Sequence, residues 1–367
     1  MKKNYNQKYE EYESLFKKSK LNEINETELG HRWLKIRSFS RKQNLMALIQ
    51  NIKRIEVKKG IRQRELAQLI FSSDISQNEI DDFIEKQFNK GIDLNDWTLE
   101  KLKEDLGRLE SYQWSGIFDN NLDKDIVNNF VKKDSSFSKF ESHFVEIQEK
   151  AKNYAISSWY NNWTTIFIEN IFNTQPIITP AIGRIKSIDF FVDKTPYDLK
   201  VTMLPNKFVN EKRREKGLKS EESILRKWNK HNNNLVDITN LKSLQVVQLI
   251  WDKILISDNN QKRTEIMNDI LNFREKLAKE VSMDPSELMQ WLYEEQGAGR
   301  FDASNRFFLI LINEENPWES WKLKAQFDLL NSKVTDYFAS DNVEYVINFN
   351  WEGATHKVKS RLLIIKK

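Results

Sequence analysis

Residues 305–313 have the sequence NRFFLILIN, in which six apolar side chains follow one another without a break. A strand with one wet face alternates polar and apolar residues, so this run is typical of a strand buried on both faces of a sheet. Residues 244–256 (LQVVQLIWDKILI) predict a further strand, and residues 343–367 predict two strands around Gly353. Helical patterns occur near residues 262–280, near residues 285–295 and from Asn316 onward. This part of the chain is therefore predicted to be mixed α/β.

The chain up to about residue 135 shows helical spacing of apolar residues and no strand signals. Residues 61–88 outline a helix-turn-helix, with Ser76 as N-cap and Glu79 completing a capping box. The second helix, however, carries four acidic residues, which would repel phosphate. These are Glu79, Asp81, Asp82 and Glu85. An ordinary packing helix is the favoured interpretation, and the role of residues 1–135, whether in DNA recognition or in dimerisation, stays open.

The length of 367 residues exceeds that of one usual compact domain, so we expect a main domain with a smaller one attached. The sequence has no cysteine and only four scattered histidines, which argues against a structural zinc site. No apolar run approaches the roughly 18 residues that a membrane span requires, so we expect a soluble, cytoplasmic protein without membrane contact.

The net charge of +4 is compatible with nucleic-acid binding but does not establish it. The distribution of charge is more informative, because residues 207–230 hold nine Lys or Arg against four Glu. This stretch is either a solvated charged helix or an arm that follows phosphates, and its position after the hairpin described next favours DNA.

A long helical pattern at residues 140–172 leads into two strand-like runs, GRIKSIDFFV at 183–192 and YDLKVTML at 197–204. The link from Asp193 to Pro196 is short and polar, so the runs predict an antiparallel hairpin. Because side chains alternate along a strand, Asp198 and Lys200 share one face. Asp189 lies nine positions before Asp198, so the hairpin can bring the two carboxylates together.

Two converging carboxylates repel each other unless a cation lies between them. All-oxygen ligation selects a hard ion, so the expected cofactor is Mg²⁺, with Mn²⁺ as a substitute, and the carbonyl of Leu199 can add a further oxygen. Lys200 would orient or deprotonate the attacking water and stabilise charge on a phosphate. The bland alternative for Asp198 and Lys200 is a solvated strand face with a marginal ion pair.

An Asp in one strand, a short hairpin and then Asp-x-Lys resembles the signature of the PD-(D/E)XK nuclease superfamily, whose best-known members are type II restriction endonucleases. In this chain the matching residues are Asp189, Asp198 and Lys200, with Ile188 where the motif has Pro. The resemblance implies a metal-ligating Glu on the preceding helix. Glu169 stands at that position, at the end of a narrow polar stripe.

The resemblance also implies a restriction-endonuclease-like core within residues 136–367, with a central mixed sheet flanked by helices and elements in the order helix, three strands, helix, strand. The implied activity is Mg²⁺-dependent hydrolysis of double-stranded DNA at a specific site by a homodimer. The alternatives are a low-specificity nuclease of repair or antiphage defence and a nucleic-acid-binding protein that has lost catalysis. The predicted DNA contacts are Lys207, Lys212, Arg213, Arg214, Arg300 and Arg306.

Overall fold

The computed structural model describes most of the chain in segments. These are residues 2–18, 20–39, 41–91, 96–109, 122–133, 136–185, 188–233, 235–239, 241, 243–258, 261–295, 304–340, 343–351 and 353–367. The predicted boundary near residue 135 lies at residues 134–135, outside these segments, so the division at that point stays a prediction. Within the described residues no helix combines the length and the apolar character needed to cross a bilayer.

A six-stranded mixed sheet forms the centre of the protein, with strand order β1-β2-β3-β4-β6-β5. The strands in chain order are β1 Ile178–Ile185, β2 Ile188–Val192, β3 Thr195–Met203, β4 Arg306–Ile312, β5 Tyr345–Trp351 and β6 Ala354–Lys366. Strand β2 pairs antiparallel with β1 on one side and with β3 on the other. Strands β3, β4 and β6 are parallel neighbours, and β5 pairs antiparallel with β6 at the edge. The predicted mixed α/β class is confirmed.

Helices surround the sheet and account for most of the remaining structure. The helices before the sheet are α1 Lys2–Lys17, α2 Leu21–Asn25, α3 Glu28–Ser38, α4 Lys42–Ile52, α5 Gln63–Phe71, α6 Gln77–Gly91, α7 Asp96–Arg108, α8 Leu122–Ile126, a π-helical turn Val127–Val131, α9 Phe137–Ser142 and α10 Phe144–Asn173. The later ones are α11 Asn206–Glu215, α12 Glu221–His231, α13 Ser243–Ile256, α14 Gln261–Met283, α15 Ser286–Glu295, a 3-10 helix Pro317–Ala325 and α16 Phe327–Ala339.

The central strand β4 is buried at every position, as its unbroken apolar run predicts. Phe307, Leu309 and Leu311 point to one face, where they pack with residues of α10, the 3-10 helix and α16. Phe308 and Ile310 point to the opposite face, in a core that includes residues of α11, α14 and α15. Helices therefore cover both sides of the middle of the sheet.

The strand predicted at residues 244–256 is wrong, because this segment forms helix α13. Its buried apolar residues recur at helical spacing, and they form a separate core with Leu225, Trp228 and Trp318. The buried members within α13 are Val246, Val247, Ile250, Trp251 and Ile254. A run dense in β-branched residues fits the periodicity of a strand as well as that of a helix, and packing against α12 favours the helix here.

Helices α1 to α6 form an apolar core, which also contains Ile188 and Phe191 of β2, whereas Leu102 and Leu106 of α7 belong to the core shared with α10 and α16. Helices α3 and α6 contact β1, so the helical region lies directly against the antiparallel end of the sheet. The capping box predicted at Ser76 and Glu79 is present, with the Ser76 amide donating to the Glu79 carboxylate at 2.8 Å. Helix α6 buries Ile80, Phe83 and Ile84, which is the behaviour of a packing helix.

Candidate active site

The hairpin of β2 and β3 places Asp189 and Asp198 opposite each other. Its pairing runs Val192 with Thr195, Phe191 with Pro196 and Phe190 with Tyr197, and the same register continued by one step pairs Asp189 with Asp198. The turn is tight because Asp193 adopts a left-handed conformation with φ of 52°, which Asp tolerates better than most residues. The predicted hairpin between β2 and β3 is present, and it brings the two carboxylates together. The run at 183–192, however, was predicted as one strand, and it is divided between β1, which ends at Ile185, and β2, which begins at Ile188.

Asp189 is fixed by the backbone of the neighbouring strand. The Leu199 amide donates a hydrogen bond of 2.7 Å to the Asp189 carboxylate. Leu199 separates Asp198 from Lys200, so this bond holds Asp189 at the centre of the Asp-x-Lys triplet. The structure assigns Leu199 this role through its amide, and a role for its carbonyl as a metal ligand stays a prediction.

Asp198 and Lys200 form an ion pair on one face of β3. The Lys200 ammonium lies 2.8 Å from the Asp198 carboxylate, and the two side chains are 29% and 13% exposed. An isolated pair on a solvated strand would be far more exposed, so the marginal surface pair is a poor description of this contact. Because β3 is parallel to β4 and Asp198 pairs with Arg306, the same face carries Phe308 and Ile310 of the buried strand.

The electrostatics of Asp189 show that negative charge is crowded at this position. Burial and, next, the nearby Asp198 carboxylate raise the pKa of Asp189 from 3.8 to about 7, and Glu169 adds to this effect. The hydrogen bond from the Leu199 amide and the charge of Lys200 act in the opposite direction and lower the pKa. A carboxyl group whose ionisation is this unfavourable is stabilised in its charged form by a bound cation.

Glu169 lies near the C-terminal end of α10 and is half-buried, whereas Ser158, Asn162 and Thr165 of the predicted polar stripe are exposed. Its carboxylate is close enough to influence Asp189 electrostatically. Among the described residues, however, no three His, Asp or Glu side chains are gathered closely enough to hold a metal ion. The donors that the structure brings together are therefore Asp189 and Asp198, with Glu169 nearby as an additional acid.

The basic stretch that follows β3 differs from the sequence expectation. Arg213 was expected to contact DNA, but its side chain is 1% exposed, pairs with Asp269 at 2.7 Å and donates to the Lys219 carbonyl. It therefore joins α11 to α14 and is not available at the surface. The isolated run of cations in the sequence gave no indication of this burial.

The other cations of this stretch are exposed, except Lys212, whose side chain is 13% exposed, and several of them meet carboxylates from elsewhere in the fold. Lys207 pairs with Glu295, and Lys212 pairs with Glu287. Arg214 is exposed. The local charge available to a phosphate backbone is therefore smaller than the count of Lys and Arg suggests, and the predicted DNA contacts at these residues stay predictions.

Arg306 also lies in a different environment from the one expected. It was predicted to flank the last core strand and contact DNA, but it is 1% exposed and its Nε lies 3.9 Å from the Asp198 carboxylate. Arg306 is thus buried beside Asp198, where it cannot contact a DNA duplex without rearrangement. Arg300, the other predicted DNA contact near β4, lies outside the described residues.

The sequence did not reveal the role of Asn305, which directly precedes β4 and is hydrogen-bonded to the backbone of Asp198. Asn305 is fully buried: its carbonyl accepts from the Asp198 amide at 3.0 Å, and its side-chain amide donates to the Pro196 carbonyl at 3.2 Å. Its side-chain oxygen accepts from the Lys359 amide at 2.9 Å. The polar pair Asn305-Arg306 at the start of an apolar run was the only available signal, because these partners come from distant parts of the chain.

Comparisons of the chain with family models, with curated proteins and with solved structures gave no match.

Proposed function

We propose that this protein is a Mg²⁺-dependent DNA endonuclease of the PD-(D/E)XK type, with Asp189, Asp198 and Lys200 in its active site. The observation that carries the proposal is the convergence of two opposed carboxylates and a lysine at one point of a hairpin. The order helix, three antiparallel strands, helices and a strand parallel to β3 supports it, since the resemblance implies a core of that kind.

The donor set fits a hard divalent cation. Asp189 and Asp198 supply oxygen ligands, and the raised pKa of Asp189 marks negative charge that a cation would balance. Asp189 and Asp198 would hold the ion, with Glu169 and the Leu199 carbonyl as further oxygens. When bound, such an ion polarises a phosphoryl oxygen and lowers the pKa of a coordinated water.

The protein's own groups supply positioning and charge. The Leu199 amide keeps the Asp189 carboxylate facing the triplet, so its orientation does not have to be set during the reaction. Lys200 is partly exposed and flexible, so its ammonium can leave Asp198 for a phosphate oxygen and stabilise charge developing there.

The substrate we propose is double-stranded DNA, with a homodimer cutting both strands at a specific site in the cytoplasm, as in type II restriction. Low-specificity cleavage in repair or antiphage defence is the alternative within the same chemistry. Binding without catalysis is the other alternative. It is favoured by one observation, since Lys200 and Arg306 already balance part of the charge of Asp198.

Cleavage of supercoiled plasmid separates these functions. With Mg²⁺ we expect cutting that chelator abolishes and that Asp198→Asn and Lys200→Met reduce by at least about a thousandfold. Asp193→Asn is the matched control, because it makes the same change at an exposed position of the same hairpin. It should cut like the wild type.

Discrete fragments from a long substrate would favour site-specific restriction, whereas a smear would favour the low-specificity alternative. Cutting that persists in Asp198→Asn would refute the proposed site. If the protein binds DNA but does not cleave it with any divalent ion tested, the inactive binder would be favoured.

A further inference from the structure

Arg306 begins β4 directly beside Asp198. The two residues are register partners on adjacent parallel strands, so their side chains project from the same face of the sheet. The Arg306 side chain is 1% exposed, and its Nε lies 3.9 Å from Oδ2 of Asp198. One oxygen of this carboxylate therefore faces a buried positive charge.

The guanidinium of Arg306 packs against an aromatic ring. Its central carbon lies 4.3 Å from the ring centroid of Tyr293, in cation-π contact. The Tyr293 hydroxyl is itself fixed, because it donates to the Ser304 carbonyl at 3.1 Å and shares a hydrogen bond of 2.9 Å with the Ser360 hydroxyl. Arg306 is consequently a buried positive charge that packs against a fixed ring.

Lys200 differs from Arg306 in its freedom to move. It is 29% exposed and sits on a four-carbon stem, while Arg306 is enclosed by β4, Tyr293 and Asp198. Asp198 thus contacts one partly exposed cation and one buried cation. If Lys200 alone balanced Asp198, its departure would leave a nearly buried carboxylate without a neighbouring positive side chain, which is unfavourable.

We propose that Arg306 is a positioning residue that orients the Asp198 carboxylate and shares its charge, so that Lys200 can exchange between Asp198 and a substrate phosphate. This inference rests on the proposed nuclease function. It differs from a purely structural role, in which Arg306 contributes only to the stability of the fold.

The two roles differ in their effect on cation binding. Arg306 repels a divalent cation near Asp198, so its neutral replacement should leave cation affinity equal or higher. The same replacement leaves Lys200 as the main partner of Asp198, which should slow cleavage. A structural role would instead weaken cation binding and cleavage together.

The test compares Arg306→Met with Arg213→Met in the full-length protein. Arg213 is a matched control, because it is also 1% exposed, lies 4.9 Å from the Phe273 ring centroid and pairs with an aspartate. We would measure the affinity for Mn²⁺ alone by calorimetry and, separately, cleavage of plasmid under single-turnover conditions.

For Arg306→Met we expect Mn²⁺ affinity at least equal to that of the wild type and cleavage reduced by at least about tenfold. Arg213→Met should change neither quantity in its folded fraction, and Arg306→Lys should restore cleavage to within about threefold of the wild type. If Arg306→Met does not fold, Arg306→Gln replaces it, since the amide keeps a polar group beside Asp198 without the charge.

Wild-type cleavage by the neutral variant would overturn the inference, as would a parallel loss of Mn²⁺ binding and cleavage. An Arg306→Lys variant as slow as the neutral one would overturn it too, because the positive charge is what the inference requires. All three of these results leave the nuclease proposal intact. A wild-type protein that neither binds Mn²⁺ nor cleaves DNA overturns the nuclease proposal, and this inference with it.

Discussion

The carboxylate of Asp189 accepts a hydrogen bond of 2.7 Å from the backbone amide of Leu199, across the two strands of the hairpin. This bond favours the ionised carboxylate, yet burial and the adjacent Asp198 outweigh it and raise the pKa of Asp189 to about 7. The hairpin and the Leu199 amide therefore bring Asp189 close to Asp198, although burial and the repulsion between the two carboxylates disfavour the ionised form of Asp189. Such a balance has measurable consequences for stability, for cation binding and for pH dependence.

Asp189→Asn should stabilise the cation-free protein above neutral pH. The native pKa of Asp189 is raised from 3.8 to about 7, so between these values the native state binds more protons than the unfolded state. The free energy of unfolding then falls as pH rises through this window, by up to about 4 kcal/mol if no other group responds. Asn remains neutral and its side-chain oxygen can still accept from Leu199, so it avoids this loss.

Urea unfolding at pH 4.5 and at pH 8, with chelator present, measures the effect. The variant should gain stability relative to the wild type at pH 8 and show little difference at pH 4.5. Asp193→Asn, on the exposed turn, should show no such pH-dependent gain. An equal effect of Asp189→Asn at both pH values would contradict the assignment of the raised pKa.

Mg²⁺ should stabilise the protein more at pH 8 than at pH 5.5. At the lower pH the raised pKa keeps Asp189 protonated, so a cation must displace a proton, whereas at pH 8 the carboxylate is free to ligate. At about a hundredfold excess over Kd the gain is roughly 2.7 kcal/mol, or about 3–4 °C in Tm.

Thermal unfolding followed by circular dichroism, with and without Mg²⁺, provides the measurement. Asp198→Asn should lose most of the shift, and Asp193→Asn should keep it. A shift of the same size at both pH values, or one that survives in Asp198→Asn, would place the cation elsewhere on the protein.

Arg274→Met should cost about 3–5 kcal/mol in the free energy of unfolding. Arg274 and Glu221 form a two-pronged ion pair with both contacts at 2.7 Å, and their side chains are 6% and 2% exposed. Removing the arginine leaves a buried carboxylate without its partner in the layer formed by α12 and α14.

Lys279→Met on the same helix is the control, because its pair with Glu275 is solvent-exposed and should contribute little to the free energy of unfolding. Both variants would be unfolded in urea at pH 7. Similar losses in the two variants would mean that burial does not govern the strength of these pairs.

Several elements of the fold were predictable because local pattern and burial agree. The apolar run of β4 and the hairpin around Asp193 follow from residue order alone. By contrast, α13 was misread as a strand because its run of Val, Ile and Leu fits both periodicities, and the antiparallel partner β1 begins at Ile178, before the run recognised in the sequence. Tertiary packing decides such cases.

The candidate site was predictable only where its residues lie close in sequence. Asp189, Asp198 and Lys200 share one hairpin, so their convergence follows from strand alternation. The burial of Arg306 and Arg213 depends on partners in other elements, Tyr293 and Asp269. No local pattern distinguishes a buried arginine from a surface one.

The bond between Asn305 and the Pro196 carbonyl joins residues 109 positions apart. Helices α11 to α15 lie between β3 and β4 in the chain, so closing this loop must precede completion of the sheet, and pairing of such high contact order is slow. Until it occurs, the hairpin exposes the unpaired edge of β3 to other chains, which is a route to aggregation. Variants that weaken α11 to α15 should therefore reduce the yield of refolding before they alter the native hairpin.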